Sequence, residues 1–333
     1  MWKYILKRLL VSLLLLLGVS IIIYFLVRLL PNDYFDQTYA SQLAQGTITK
    51  AELDALKDQA GLLDKSFGGL WKGYFLWLGN IFKGDLGRSL KYQNQPVGQV
   101  ITQNMGISFG ISLVALVLQF VIAIPLGVKA ACNQYGKIDY TVTVLTMMGI
   151  SLPTFFLAAL LIQVFSINLG WFPVNGLVDA NMPVTASGFT RFIDILHHLV
   201  LPMTTLVILS IGGLMRHTRT NMLEVLNADY IRTARAKGLS ERSVVYKHAF
   251  KNTMIPIVTM TAGIIPSLFG GAMITETVFG IPGIGKLAYD ALKVGDVPFV
   301  MGYNMFIAIL TVLGTLLSDL MYMVVDPRVK LTK

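Results

Sequence analysis

Residues 230–250 read YIRTARAKGLSERSVVYKHAF, a basic stretch set between two runs apolar enough to lie in a membrane. Eight Lys or Arg fall between Arg216 and Lys251. The stretch also carries helix punctuation. Asn227 is placed to cap a helix that begins at Ala228; Asp229 sits in its first turn and Arg235 and Lys237 in its last, all favourable against the helix dipole. Gly238 supplies a C-terminal stop, and Ser240 is placed to cap a second helix running towards Asn252. Ala228, Ile231 and Ala234, with Thr233 and Ala236 alongside, make a narrow face that a groove on another protein would admit. Charge alone fits a loop lying on anionic lipid, where each basic residue contributes about 1 kcal/mol. The caps, the central glycine and the small-residue face do not follow from a lipid tether, which needs no defined shape. The stretch therefore reads as a protein-docking element.

The surrounding chain is greasy. Its 333 residues are 54% hydrophobic and only 14% charged, with mean hydropathy +0.65. That balance defines an all-α integral membrane protein. The net charge of +9 is explained by Lys and Arg retained in cytoplasmic loops for orientation, so no nucleic acid is expected as a partner. Cys132 is the single cysteine, which excludes an intrachain disulfide and a cysteine metal cluster.

A spanning helix needs about 20 apolar residues. Charge-free runs occur at Leu9–Val27, Gly106–Val128, Tyr140–Val178, Leu199–Met215, Asn252–Thr275 and Val297–Ser318. The Tyr140 run is too long for one crossing, but Gly170, Pro173 and Gly176 interrupt it, so one span to about Asn168 is predicted. Six transmembrane helices follow. The first run lacks a small-residue cleavage site and reads as an uncleaved span. The predicted organisation is residues 1–30 as amino terminus and first helix, 31–105 as an external segment with short helices, 106–325 as a five-helix core including the loop 216–252, and 326–333 as a tail.

Lys3, Lys7, Arg8, Lys129, Lys137, the basic loop, Arg328, Lys330 and Lys333 fall on one side, against Arg191, Lys286 and Lys293 on the other. Both termini and the loop are therefore expected in the cytoplasm. Within the external segment, Thr49 and Glu52 form a capping-box pattern. Trp71, Phe75, Leu78 and Phe82 share a helical face that suits an interfacial helix.

Several motifs lead nowhere. GIPGIGKL, residues 280–287, has phosphate-loop spacing but no Ser or Thr for magnesium and no preceding strand. The expectation is thus no cofactor in this chain, with ATP and Mg belonging to partner chains. His197 and His198 lack further ligands and are expected to cap a helix at the interface. Ser151 and Ser210 have no histidine partner, so no catalytic residue is expected and the chain is not read as an enzyme. Glu276 and Asp319 lie at span ends, with no ionisable residue in mid-span, which argues against proton coupling. A self-sufficient secondary transporter or channel remains the alternative, since sodium coupling can use backbone carbonyls. Prolines 125, 153, 202, 256 and 266 and small residues in the fourth and fifth spans suit a path that opens and closes. Ser210, Gly213, Gly263, Ser267, Gly270 and Gly271 are its candidate lining.

ADYIRTARAKGLSERSVVYKHAFKNTMIPI, residues 228–257, resembles the cytoplasmic coupling loop of ABC importer permeases of the oligopeptide, dipeptide and nickel family, B-type subunit. GDLGRSL with PVGQVI, SLPTFFLAALL, WFPVNG, HHLVLPMTTL, ETVFGIPGIGKLA and DPRVK resemble further blocks of that family, so the likeness covers nearly the whole chain. Against the wider superfamily's Glu-Ala-Ala, three residues, Gly, only Ala234 and Gly238 match; Arg232 and Thr233 depart from it as the peptide subgroup does. The resemblance implies a type I importer permease fold in a bacterial plasma membrane, translocating peptides, or nickel chelates or other small solutes in related systems. It implies an ATPase-docking helix at Ala228, Asp229, Tyr230, Ile231, Arg232, Thr233, Ala234, Arg235, Ala236, Lys237 and Gly238. It also implies a second homologous permease subunit, two cytoplasmic ATPase subunits and an external substrate-binding protein, besides membrane lipid.

Overall fold

The computed structural model describes residues 2–31, 33–262 and 264–325. Helices run in the order α1 Trp2–Arg28, α2 Tyr34–Ala44, α3 Lys50–Gln59, α4 Phe67–Phe82, α5 Val97–Cys132, α6 Lys137–Ser151, α7 Thr154–Leu161, α8 Gly188–Leu226, α9 Asp229–Ala236, α10 Glu241–Ser243, α11 Phe250–Ala262, α12 Ile265–Gly270, α13 Met273–Val278, α14 Ile284–Lys293 and α15 Val297–Val325. π-helical turns at Ile162–Asn168 and Val244–Ala249 continue α7 and α10. Among the described residues there is no strand, only an isolated bridge between Arg88 and Pro96.

Four helices are long and apolar enough to cross a membrane: Leu6–Arg28, Val97–Cys132, Gly188–Leu226 and Val297–Leu316. The third apolar run forms a fifth span only as a bent pair, Lys137–Ser151 and Thr154–Asn168, at 102°. The break falls at Pro153, earlier than the glycines of LGWFPVNG. Proline disfavours helical geometry in the residue before it, and Leu152 is extended at φ −80°, ψ 132°. The fifth run is not one continuous span either; it is divided among α11, α12 and α13, with Gly271 at φ +73° between the last two. Six straight crossings thus become four, a bent pair and a broken run.

The long helices approach closely where glycines leave room. A Cβ on Gly127 of α5 would lie 2.8 Å from the Met215 carbonyl of α8; on Gly149 of α6, 2.9 Å from the Ile208 carbonyl; on Gly212 of α8, 2.6 Å from the Thr146 carbonyl. In hydrocarbon, where apolar burial drives nothing, such backbone proximity is what packs helices. α6 is also held to α8 by a two-pronged ion pair, Arg219 Nε to Asp139 Oδ1 at 2.6 Å and Nη2 to Oδ2 at 2.7 Å.

The segment after α1 folds onto the helices. Thr49 and Glu52 form the expected capping box at α3. In α4 the packed face is Leu70, Tyr74 and Trp77, turned towards α1 through Tyr24, whereas Phe75 and Phe82 are exposed. The aromatic face expected at Trp71, Phe75, Leu78 and Phe82 is therefore split, because the Tyr24 ring contacts sit about a third of a turn away. α8 begins at Gly188 behind a Ser187 cap. His197 and His198 lie inside that helix and cap nothing: His197 Nε2 meets the Trp171 carbonyl at 2.8 Å, and His198 Nδ1 the Asp194 carbonyl at 2.9 Å.

Candidate functional site

α9 is a short helix pinned at the ends of the bundle. Ile231 (0% exposed) and Ala234 (8%) pack with Val128 and Ala131 of α5, Met222 of α8, and Val244, Val245 and Ala249 beyond the turn. These two side chains therefore face this chain's own core and offer nothing to another protein. The outward face carries Asp229, Tyr230, Arg232, Thr233, Ala236 and Lys237. The half-buried Ala228 is the N-cap of α9 and makes no side-chain cap. Asn227 ends α8, its Nδ2 donating to the Leu223 carbonyl at 2.9 Å, so the expected cap at Asn227 serves the preceding helix.

The turn after α9 follows its punctuation. Gly238 takes φ +78°, a conformation L side chains rarely adopt. Ser240 caps the next helix, accepting from Ser243 N–H at 3.4 Å. Arg235 spans the turn to Glu241, Nε to Oε1 at 2.8 Å. Asn252 Nδ2 donates to the Tyr230 hydroxyl at 3.0 Å, tying α9 to the start of α11. Both helices that enter this corner, α8 and α11, continue into the membrane, so α9 can move only with them.

Among the residues expected to line a path, Ser210, Ser267 and Gly271 come together, with Ser112 and Gln119 of α5, around a cavity of about 190 Å³. Gln119 Nε2 donates to the Ser210 carbonyl at 3.0 Å. Gly270 faces elsewhere, its carbonyl accepting from the Tyr303 hydroxyl at 2.7 Å. Gly213 is exposed with open space around its Cβ position, away from this cavity. Gly263 and the tail 326–333 lie outside the described residues.

Beside the cavity sits a clasp that sequence reasoning missed. Glu276 is 0% exposed. Its Oε1 accepts from Ser108 Oγ at 2.7 Å and from Ala272 N–H at 3.1 Å, and its Oε2 from Lys286 N–H at 3.0 Å. Ser108 in turn accepts from Ile284 N–H at 2.8 Å. The glycines of GIPGIGK make room for this: a Cβ on Gly283 would sit 2.5 Å from the Glu276 carboxyl. A phosphate-loop spacing here cradles the chain's own carboxyl group. The signal was Glu276 four residues ahead of a glycine run, together with a serine in an apolar helix.

The chain at and just after GDLGRSL and the chain at and just after ETVFGIPGIGKLA, far apart in sequence, are joined. Ser89 Oγ and Lys91 N–H both donate to Asp296 Oδ2, whose partner oxygen accepts from Phe299 N–H and so caps α15. Tyr92 hydroxyl donates to the Leu287 carbonyl at 2.9 Å. WFPVNG joins them through Gly176 N–H, which donates to the Phe279 carbonyl at 2.8 Å. These motifs form one continuous cap on the side of the membrane that carries residues 33–96.

A multi-pass helical bundle with an outward-facing helix pinned at one end and a capped face at the other has the form of a membrane permease subunit. The family model "Binding-protein-dependent transport system inner membrane component" matches residues 123–331, and the chain belongs to that family. It is 37% identical, over 99% of its length and all of the relative's, to the oligopeptide transport system permease protein AppB of Bacillus subtilis. It is 32% identical to the oligopeptide transport system permease protein OppB of Haemophilus influenzae, over 99% of this chain and all of that one. Among solved structures, the MetNI methionine ABC transporter in an inward-facing form matches with TM-score 0.51 and 18% identity, covering 70% of this chain and 99% of that one. That likeness establishes the type of fold. The chain is therefore an ABC importer permease, a transport subunit and not an enzyme, which works with ATPase and substrate-binding components.

Proposed function

We propose that this chain moves peptides across the bacterial plasma membrane, handed over by an external binding protein and driven by ATP hydrolysed in two cytoplasmic ATPase subunits. The named peptide permeases among its relatives support the substrate class. In this reading both termini and α9 lie in the cytoplasm, ATP and Mg belong to the ATPases, and this chain holds no cofactor. A second, similar permease completes the passage, since one bundle of this size walls off too little space for a peptide. The path runs by the cavity at Ser210, Ser267 and Gly271, and the binding protein meets the cap built from residues 33–96 and 278–296.

The observation that carries the reading is the clamping of α9. Closure of the ATPases would displace a docked α9 as a rigid body, and α8 and α11 would carry that displacement into the membrane. Docking falls on the outward residues Tyr230, Thr233, Ala236 and Lys237. Co-purification of the ATPase subunits with Ala236→Trp and Thr233→Trp tests this. Both variants are expected to retain folding and lose at least tenfold in ATPase recovery; wild-type recovery and uptake in both would refute the docking.

A further inference from the structure

Ser108, Ser112, Ala115 and Gln119 recur at i, i+4, i+7 and i+11 of α5 and so share one face of that helix. Ser108 belongs to the Glu276 clasp. The other three line the cavity of about 190 Å³, together with Ser210 and Ser267. The charge-free run of α5, Gly106–Val128, is centred on Val117, so Ser112 and Gln119 straddle the middle of the span. A polar group left unpaired at that depth costs free energy unless water or cargo reaches it.

The polar groups of this lining are mostly acceptors. Ser210 Oγ donates to the Leu206 carbonyl at 2.7 Å and Ser267 Oγ to the Ile264 carbonyl at 2.6 Å, so each hydroxyl has spent its hydrogen and keeps its lone pairs. Gln119 Nε2 donates to the Ser210 carbonyl, which fixes Oε1 as the acceptor end of that amide. Among the described residues Gln119 Oε1 receives no hydrogen bond, and Ser112 Oγ makes none, not even to a carbonyl of its own helix. Neither atom is sealed from water, and both residues line the cavity. No described residue of the lining is ionisable.

Acceptors without charge suit neutral N–H donors, and they offer no counter-ion to a carboxylate, a phosphate or an ammonium group. Ser112 and Gln119 lie about 10 Å apart along α5 at 1.5 Å per residue, the length of about three residues of extended chain at 3.3 Å each. The donors that every peptide carries over such a length, whatever its side chains, are main-chain N–H groups. We propose that the α5 face at Ser112 and Gln119, with the Ser210 and Ser267 hydroxyls, binds the main-chain amides of an extended peptide in transit and takes no account of side-chain charge. This rests on the reading that peptides pass the cavity. The cavity has room for about six waters at about 30 Å³ each. Cargo amides would replace those waters at the same acceptors, an exchange of hydrogen bonds with a small net gain that lets the peptide leave as readily as it enters.

The test is initial uptake by the full transporter in vesicles at low cargo concentration. The probes are alanine peptides of three and five residues, each with a counterpart N-methylated at every amide, which keeps the charge and removes the N–H donors. The binding protein contributes its own preference, but that is the same for every permease variant and cancels when variants are compared. In Ser112→Ala and Gln119→Leu, uptake of the unmethylated peptides should fall about threefold to tenfold, the worth of one hydrogen bond. The methylated ones should change by less than about twofold, so the preference narrows; Ser112→Thr, which keeps the hydroxyl, should retain it. If Gln119→Leu does not fold, Ser112→Ala decides alone. An unchanged preference, or equal slowing of both kinds of peptide, would overturn the proposal. Ser112→Cys in a chain carrying Cys132→Ser tests the reading beneath it. Uptake blocked by a bulky methanethiosulfonate, with the preference unchanged in Ser112→Ala, would leave the path at this cavity and end the amide recognition. Full uptake after that modification would move the path elsewhere and remove the proposal with it.

Discussion

At the scale of single residues, Glu276 shows how a polar group survives inside a membrane protein. It is sealed from water, so each hydrogen bond it accepts has to be supplied by the chain. Ser108, Ala272 and Lys286 supply them, from a transmembrane helix, a hairpin turn and the first turn of α14. Glu276→Gln keeps the shape but turns an NH2 towards backbone N–H donors. Each stranded donor costs about 1–3 kcal/mol, so the unfolding midpoint should fall by several degrees. Gly283→Ala places a Cβ 2.5 Å from the same carboxyl group, and overpacking of this kind costs about 1–3 kcal/mol. Because both changes act on one clasp, the double variant should lose less than the two single losses added together. Wild-type stability in Glu276→Gln would mean that the clasp holds nothing.

At the scale of elements, the α2 and α3 helices show how charge joins short polar helices in water. Lys57 near the end of α3 lies 3.1 Å from Asp33 Oδ2 and also hydrogen-bonds to Asp36 in the first turn of α2. Burial alone would raise the Asp36 carboxyl, but hydrogen bonds from Lys57 and from Asp33 N–H outweigh it and leave the group below its ordinary value. Burial alone would lower Lys57, and its hydrogen bonds to the Asp36 and Asp33 carboxylates outweigh that and raise it. A depressed carboxyl stabilises the fold above its unfolded value of about 3.9. That contribution disappears as pH drops through the folded value. The raised lysine stabilises below about 10.4 and is lost only as pH climbs beyond that. Hydrogen exchange across residues 34–59 should therefore be slowest between about pH 5 and 10 after correction for intrinsic rates, and should quicken below about pH 4. Lys57→Met should raise exchange at neutral pH and flatten the acid limb. An acid limb unchanged in that variant would locate the sensitivity elsewhere.

The same scale shows what could be read in advance. Runs without charge place α1, α5, α8 and α15 well, because spanning hydrocarbon demands length and apolarity together. The capping box at Thr49, the stop at Gly238 and the cap at Ser240 are local chemistry and were legible as such. The division of the fifth run at Gly271 was not, since it adjoins the Glu276 clasp, which takes in Ser108 from 168 positions away. Ile231 and Ala234 misled for a related reason. A small-residue face says that something packs closely there, and only the fold shows that the partner is this chain's own α5, α8 and the turn after α10.

At the scale of the whole molecule, the proposed coupling makes those two residues the point at which force would enter the bundle. α8 has 39 residues, a rod of about 58 Å at 1.5 Å per residue, far longer than the hydrocarbon alone requires. One end carries α9 and the other meets the cap at His197 and Trp171. Docking strength and transmission would be separable in such a design, because the proposed docking uses the outer face of α9 and leaves its inner face packed on this chain's own core. Ile231→Ala removes a fully buried side chain from the inner face only, a change costing about 2–5 kcal/mol where the site cannot collapse. It should leave ATPase recovery within about twofold of wild type while uptake per ATP hydrolysed falls at least tenfold, a loss equal to about 1.4 kcal/mol of coupling. Ala236→Trp should do the reverse, lowering recovery and leaving uptake per ATP unchanged in the complexes that form. Reconstituted vesicles containing the full transporter, assayed for hydrolysis and peptide entry together, measure both quantities. If hydrolysis and uptake fell in proportion for Ile231→Ala, the buried face of α9 would serve assembly alone, and the lever would have to run through α11 and its bond from Asn252 to Tyr230.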